Sequence, residues 1–414
     1  MHNHSTPLPV TRREFLKASG GALGVLSFSN FAPSLLAQTA LSQTPKAGKD
    51  MPILVLVQLA GGNDGLNTVI PVTDDNYYRL RPNIAIAPKD ALPIGDGLGL
   101  HPSCDPMRQM LDDGKLSIIQ NVGYPNPNRS HFRSTEIWET ASDSDQTAHT
   151  GWIGRYFDNH CSGSAANGPL GVHISNEFPQ MFSADEVHNV FGLKARGNVA
   201  KKQKDDSMML LENLTDSPAY DENESYLQHT MMDALVTEKR VQKIIDSYRP
   251  MSQYQGNGLA QSLRRVAALI AGGMETRVYF VSQGGYDTHS NQLGNHARLM
   301  GELSGALAAF QRDLENHRLD DQVLTMTFSE FGRRPSENGS QGTDHGTAAP
   351  LFVVGSSVNE SIVGQQPDLN LEKNKDLEFG TDFRQIYSTV IDKWFMANPE
   401  PVIGGQYDSM EFIS

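Results

Sequence analysis

The sequence predicts a doubly wound α/β fold, a mostly parallel sheet with helices on both faces, and three observations carry the prediction. Five near-continuous apolar runs have strand length, as strands covered on both faces of a parallel sheet do. Segments with apolar residues three and four apart lie between several of them, each marking one buried helix face. Short glycine-rich acidic segments follow three of the runs, where an open sheet of this kind places its loops.

In chain order, the first run is 52–59 (PILVLVQL) and the second 116–122 (LSIIQNV). A helix over 259–270 precedes the third run, 276–282 (TRVYFVS). The next helix, 289–314, presents Leu293, Ala297, Met300, Leu303, Leu307, Phe310 and Leu314 on one side. Runs 323–328 (VLTMTF) and 351–354 (LFVV) follow, and 383–394 closes the series as a helix. Residues 201–250 break the rhythm. They are rich in charge and methionine, and a helix over 224–248 buries Leu227, Met231, Leu235, Val241, Ile244 and Tyr248, so they read as a helical insertion within one domain spanning 51–414.

The N-terminus has a different character. Thr11-Arg12-Arg13-Glu14-Phe15-Leu16-Lys17 precedes a modestly apolar stretch with Gly20, Gly21 and Gly24, and small residues surround Ala37 and Ala40. This reads as a twin-arginine signal over 1–37 with a linker over 38–50, which predicts the twin-arginine export machinery as a partner and a periplasmic or extracellular location. No other apolar run approaches the length of a membrane span, so the mature chain is expected to carry no integral membrane segment. The formal charge of −14, without a basic block, argues against nucleic acid as a partner. Cys104 and Cys161 are too few for a disulfide scaffold and are expected to be unpaired.

The chemistry gathers in GGNDGLN (61–67), GGYDTHSNQ (284–292) and GTDHGTAAP (342–350). Asp64, Asp287, His289, Asp344 and His345 offer the carboxylate and imidazole donors that suit zinc or manganese, with magnesium or calcium as other divalent choices. Glu330, after the run 323–328, is either a further ligand or an acid that orients Arg333. The nucleophile candidates lie in PNPNRSHFRSTEIWETA, where Ser130 or Ser134 opens a helix whose free N–H groups favour an anion. Both serines also fit a plain helix-capping role. Arg129 and Arg133 flank the position as candidates to hold an anionic substrate, and His131 adjoins it as a candidate acid or base. His101, His149, His160, His173 and His188 have no acid at ligand spacing and read as structural, and Asp382 before Arg384 reads as a cap.

The succession GGNDG, HPSCDPMRQMLDDGKLSIIQNVG, NRSHFRS, GGYDTHSNQ, SEFGRR and TDHG resembles the exported family known as domain of unknown function 1501, over nearly all of the mature chain. That family in turn resembles the alkaline phosphatase and sulfatase superfamily. The resemblance implies an alkaline phosphatase-like sheet and a metal-dependent hydrolase of phosphate or sulfate esters. It implies Ser130 as nucleophile, Asp64 as the first-strand ligand, Asp287 with His289 on one ion, and Asp344 with His345 on another. Superfamily members add a final histidine near the C-terminus, whereas no histidine follows His345 here. The other expectation is therefore a noncatalytic exported binding or assembly protein that keeps the fold, with a purely structural envelope protein as a third. Cys104-Asp105-Pro106-Met107-Arg108 matches the pattern sulfatases convert to formylglycine, but it precedes the strand after which the nucleophile belongs.

Overall fold

The computed structural model describes residues 51–161, 168–194, 222–359 and 361–414, with 222–233 described by backbone alone. The expected signal 1–37, the linker 38–50 and the first part of the insertion lie outside the described residues. Among these residues no helix is long and apolar enough to cross a membrane.

All five apolar runs form strands, and they are five adjacent strands of one sheet. They are β1 (Ile53–Ala60), β5 (Leu116–Gly123), β8 (Val278–Gly284), β9 (Val323–Phe328) and β12 (Ala349–Val354). With β6 (Gly171–Ile174), β7 (Val190–Leu193) and β13 (Ile362–Val363) the order is β13-β5-β12-β9-β1-β8-β6-β7, and β14 (Thr381–Asp382) adds to β5. Every pairing is parallel except those of β12, which runs against both β5 and β9. The reversal has a local cause. Between β9 and β12 the chain makes a ribbon, β10 (Arg333–Glu337) against β11 (Thr343–His345), instead of the crossover helix that a parallel return requires. A small separate sheet, β2 (Val69–Ile70), β3 (Leu92–Gly95) and β4 (Leu98–Leu100), lies near the first loop.

Alternate residues of β1 enter two different cores. Ile53, Val55, Val57 and Leu59 pack with α3 (Asp105–Asp112), α7 (Gly258–Ala271) and α8 (Gln292–His317). Leu54 and Leu56 pack on the other face with α4 (His131–Thr140), α5 (Trp152–His160), α9 (Phe383–Thr389) and α10 (Glu400–Ile403). The doubly wound α/β expectation therefore holds. α9 continues into a π-helical turn, Val390–Trp394, where the sequence suggested one uninterrupted helix. The insertion helix is α6 (Glu222–Ser247), and Leu235, Val241 and the following Tyr248 are buried as expected. Leu227 and Met231 fall among the residues described by backbone alone. Two short helices, α1 (Gly65–Thr68) and α2 (Asp75–Leu80), cover the first loop. Both cysteines are free, and Cys104 is buried at the head of α3 with its thiol pushed up to about 12 by burial.

α4 carries a titrating group into the core. Glu139 is buried, its Oε2 accepts from the Gln180 backbone N–H at 2.6 Å, and burial raises its carboxyl to about 7 against the opposing pull of that bond. A carboxyl raised in the native state holds a proton there that the unfolded chain releases near pH 4.5. Stability from this group is thus complete below pH 4.5 and falls as pH rises to about 7, at roughly 1.4 kcal/mol per unit. Glu139→Gln is expected to remove that slope and to be more stable than the parent by roughly 3 kcal/mol above pH 8. Urea midpoints of the two proteins at pH 5 and pH 8 check it, and a constant difference between them counts against it.

Candidate metal centre

The register brings the carboxyl ends of the central strands level, Ala60 beside Gly284 and Gln58 beside Phe328, so the loops after β1, β8 and β9 leave the sheet together. Gly61 opens the first loop at φ +121°, and a Cβ there would lie 2.4 Å from the Asp287 backbone nitrogen. Glycine is what lets the first loop touch the second. Gly342 does the same for the third, since a Cβ would meet the His289 carbonyl carbon at 2.3 Å.

Four donor groups meet at this edge. Asp287 Oδ1 lies 3.0 Å from His289 Nε2, 3.2 Å from His345 Nε2 and 3.7 Å from His131 Nε2. His289 Nε2 and His345 Nε2 are 3.0 Å apart. Around a tetrahedral zinc with bonds of about 2.0–2.1 Å, ligand atoms stand about 3.3 Å from one another. His131, Asp287 and His345 place their donor atoms all within 4.8 Å of one another, a spread that one ion spans, and His289 Nε2 lies beside those of Asp287 and His345. The outer nitrogens decide the tautomers. His131 Nδ1 is 2.8 Å from Glu330 Oε1, His345 Nδ1 is 2.8 Å from the Arg129 carbonyl, and His289 Nδ1 is 3.3 Å from Asp344 Oδ1. Each of those partners only accepts, so each Nδ1 carries a proton, and the Nε2 atoms are the ring nitrogens that face the centre. The 3.0 Å between His289 Nε2 and His345 Nε2 calls for a proton or a cation between them.

Charge and packing hold the group in place. Burial pushes the Asp287 carboxyl up, but Arg333, His345 and His289 together hold it below the usual carboxylate range. The Glu330 bond raises His131, against burial. Asp344 is lowered first by the Asn338 amide, 3.1 Å away. Phe331 packs its ring 4.9 Å from that of His131 and 4.7 Å from that of His345. Arg333 is buried and donates to the carbonyls of Gly62 and Thr343 at 2.9 Å, to those of Tyr286 at 3.1 Å and Gly61, and to Asp287 Oδ1 at 2.5 Å. One guanidinium thereby ties the three glycine-rich segments together.

The expected residues fall into three groups. Asp287, His289 and His345 come together at the centre. Glu330 and Asp344 stand behind the imidazoles, and Glu330 Oε1 also accepts from the Gly61 N–H at 2.8 Å. Asp64 is placed elsewhere: it is buried, takes Arg81 bidentately at 2.7 and 2.8 Å, and accepts from Gln292 Nε2. Arg81 and Gln292 occupy both its oxygens, where the sequence suggested a ligand. Arg133 is likewise committed, to the carbonyls of Asp143, Ser144 and Gln146 and to Glu136, and is not turned toward an anion at the centre. Ser134 is buried, donating to the Asn128 carbonyl at 2.6 Å.

Ser130 is exposed and caps α4 without a side-chain bond to the helix. It lies between Arg129 and His131, both of which touch the centre. The sequence suggests His131 as an acid or base, whereas its Nε2 joins the donor set. Gln292, Arg81 and the structural part of Arg333 were missed. On α8 the first turn buries Gln292 and His296, while the expected Leu293 is 43% exposed. Gln292 Oε1 accepts from Thr288 at 2.9 Å and Thr343 at 2.6 Å, so it links Asp64 to the two loops that carry the ligands. Elsewhere, His173 and His101 are buried neutral imidazoles lowered to about 4 by burial, His188 pairs with Asp158 at 2.7 Å, and Asp382 caps α9.

A family model described as "Protein of unknown function (DUF1501)" matches residues 52–402. No curated protein matches the sequence. Solved structures similar to the chain include Ps i-CgsB in complex with k-i-k-neocarrahexaose, at 10% identity and a TM-score of 0.36, covering 87% of this chain and 73% of that one. The C-terminal periplasmic domain of EcEptC from Escherichia coli in complex with Zn has 8% identity and a TM-score of 0.35, covering 76% and 75%. Alkaline phosphatase from the Antarctic bacterium TAB5 has 12% identity and a TM-score of 0.30, covering 74% and 93%. At these identities and scores the likeness is remote.

Proposed function

We propose, for a chain that belongs to the DUF1501 family of proteins of unknown function, a metal-dependent hydrolase of phosphate or sulfate esters. The single observation that carries this reading is the convergence of three imidazole Nε2 atoms on Asp287 Oδ1 at ligand spacing. His131, Asp287, His289 and His345 would hold one divalent ion. A donor set rich in imidazole favours zinc, with manganese next, over magnesium or calcium. Such an ion would supply a Lewis acid for an ester oxygen and lower the pKa of a hydroxyl at its edge.

The chain's own residues do the rest. Glu330, Asp344 and the Arg129 carbonyl fix the three rings so that no reorientation is needed when charge develops. Ser130 presents an uncommitted hydroxyl at the N-terminus of α4, where free backbone N–H groups favour the anionic group of an ester. Asp287, His289 and His345 face solvent on one side, so a substrate can reach them. Ser130→Ala is expected to lower turnover of an aryl phosphate or sulfate ester by at least about 10³ with bound metal unchanged. Full turnover in that variant would remove Ser130 from the chemistry.

A second reading, a noncatalytic exported protein that keeps the fold, is favoured by the commitment of Asp64 to Arg81, which leaves a single candidate ion where the superfamily resemblance implied two. Elemental analysis of protein purified without chelators, joined to a screen of aryl phosphate and sulfate esters, separates the two: metal without turnover of any ester supports the second. Export by the twin-arginine route rests on residues 11–17, and the N-terminus of the protein recovered from the periplasm tests cleavage near Ala37.

A further inference from the structure

Two arginines at the rim of the centre share one carboxylate. Arg129 Nη1 is 3.1 Å from Asp376 Oδ2, and Arg334 Nε is 3.4 Å from Asp376 Oδ1. The three side chains are 44%, 25% and 26% exposed respectively for Arg129, Arg334 and Asp376. Each arginine is anchored to the centre through its backbone. The Arg129 carbonyl receives His345 Nδ1, and Ser130 and His131 follow it in sequence. Arg334 follows Arg333 on β10, its carbonyl receives Arg81 Nη2 at 3.1 Å, and its charge helps hold the Asp344 carboxyl down. The other arginines near the centre are spent on structure, Arg333 and Arg81 in buried networks and Arg133 on backbone carbonyls. Among the described residues, the guanidinium groups of Arg129 and Arg334 pair with Asp376 alone.

We propose that Arg129 and Arg334 receive the anionic group of the substrate, and that Asp376 fills their place until an anion displaces it. The inference rests on the hydrolase reading and narrows its substrate class. Two guanidinium groups face the Asp376 carboxylate, with the Asp344 carboxyl also within reach of the Arg334 charge, and two arginines on different segments match the oxygens of a tetrahedral anion better than one carboxylate does. A phosphate monoester keeps two negative charges, whereas a sulfate ester keeps one. The receptor therefore selects phosphate monoesters over sulfate esters. Displacement costs little: Arg334 Nε and Asp376 Oδ1 are buried without a hydrogen-bond partner, and the pair with Arg129, whose side chain is 44% exposed, contributes no more than about a fivefold factor. The segment that carries Asp376 is held just beyond it by backbone contacts, Leu377 to Thr347 at 2.6 Å and Glu378 to Asn121 at 2.8 Å, so the side chain can swing without moving the chain.

The test measures binding of phenyl phosphate and of phenyl sulfate to the zinc-free mature chain at pH 8 and low ionic strength, by titration calorimetry. Asp376→Asn is expected to tighten phenyl phosphate about two- to fivefold, since it removes the competing charge. Arg129→Gln and Arg334→Gln are each expected to weaken phenyl phosphate about tenfold or more, since each removes a charge-assisted bond. Phenyl sulfate, with one charge, is expected to bind at least about tenfold more weakly than phenyl phosphate, with two, in the parent. Thermal midpoints close to the parent's show that the variants fold. Phenyl phosphate affinity indifferent to all three substitutions overturns the receptor, and equal affinity for the two anions overturns the preference for phosphate monoesters. These outcomes are read without zinc, so a chain that binds no zinc defeats the hydrolase reading, and the substrate class with it, while the anion receptor is still decided by the three variants.

Discussion

Asp287→Asn is expected to reduce bound zinc from about one equivalent to less than about a tenth under identical purification, and to abolish ester turnover. The substitution keeps the shape of the side chain and leaves an amide oxygen for Arg333, so the fold loses little. What it removes is the one anionic donor among three neutral imidazoles. Without that charge the site presents three lone pairs beside the fixed positive charge of Arg333, and a divalent ion meets repulsion where it had attraction. Glu330→Gln supplies the graded comparison. Its Oε1 holds His131 Nδ1 at 2.8 Å, and loss of such an outer partner weakens metal by about 10–100-fold. Asp287→Asn should exceed that factor, measured by competition with a chromophoric chelator. Equal metal content in Asp287→Asn and the parent would place the ion elsewhere or nowhere.

The parts of this centre that could be read from the sequence are those whose residue types are unusual for their place. The five central strands were legible because both of their faces are buried, so their apolar runs are nearly unbroken. Strands β6 and β7 were missed because four residues each, GVHI and VFGL, carry too little pattern. The β10–β11 ribbon was missed because RRPSE and TDH read as loop, yet it carries Arg333, Asp344 and His345. Asp287, His289 and His345 stood out as acid and imidazole in glycine-rich loops. Asp64 looked the same and is placed differently, because its partner is an arginine seventeen residues away that a sequence reader assigns to the surface. His131 stands beside Ser130, where the sequence suggests an acid or base. That the ring turns inward depends on Glu330, nearly two hundred residues distant along the chain.

Arg81→Ala is expected to cost about 3–5 kcal/mol of stability, the largest effect of any single substitution considered, read as a shift in the urea midpoint at pH 7. Both partners of the Arg81–Asp64 pair are fully buried, and Arg81 also bonds Asn67 Oδ1 and the Pro335 carbonyl at 2.7 Å each and the Arg334 carbonyl at 3.1 Å. Truncation strands the Asp64 carboxylate in the core with Gln292 as its remaining partner. The pH dependence should reverse as well. Burial raises the Asp64 carboxyl, and in the parent Arg81 overrides it, so the folded value lies below the ordinary 3.8. In the parent this group contributes stability above pH 4 that is lost as pH falls below that value. With Arg81 gone, burial acts unopposed by the guanidinium, and the variant should gain stability relative to the parent as the solution is acidified from pH 7 toward pH 4. Replacing both partners, Asp64→Leu with Arg81→Met, should cost less than Arg81→Ala alone, because no charge is left stranded. A double variant as unstable as the single one would assign the loss to packing and backbone bonds instead of charge. Metal affinity gives the link to the centre. Gln292 joins Asp64 to Thr288 and Thr343, the neighbours of Asp287, His289 and Asp344, so a slackened Asp64 should weaken zinc by about tenfold while leaving the stoichiometry at one.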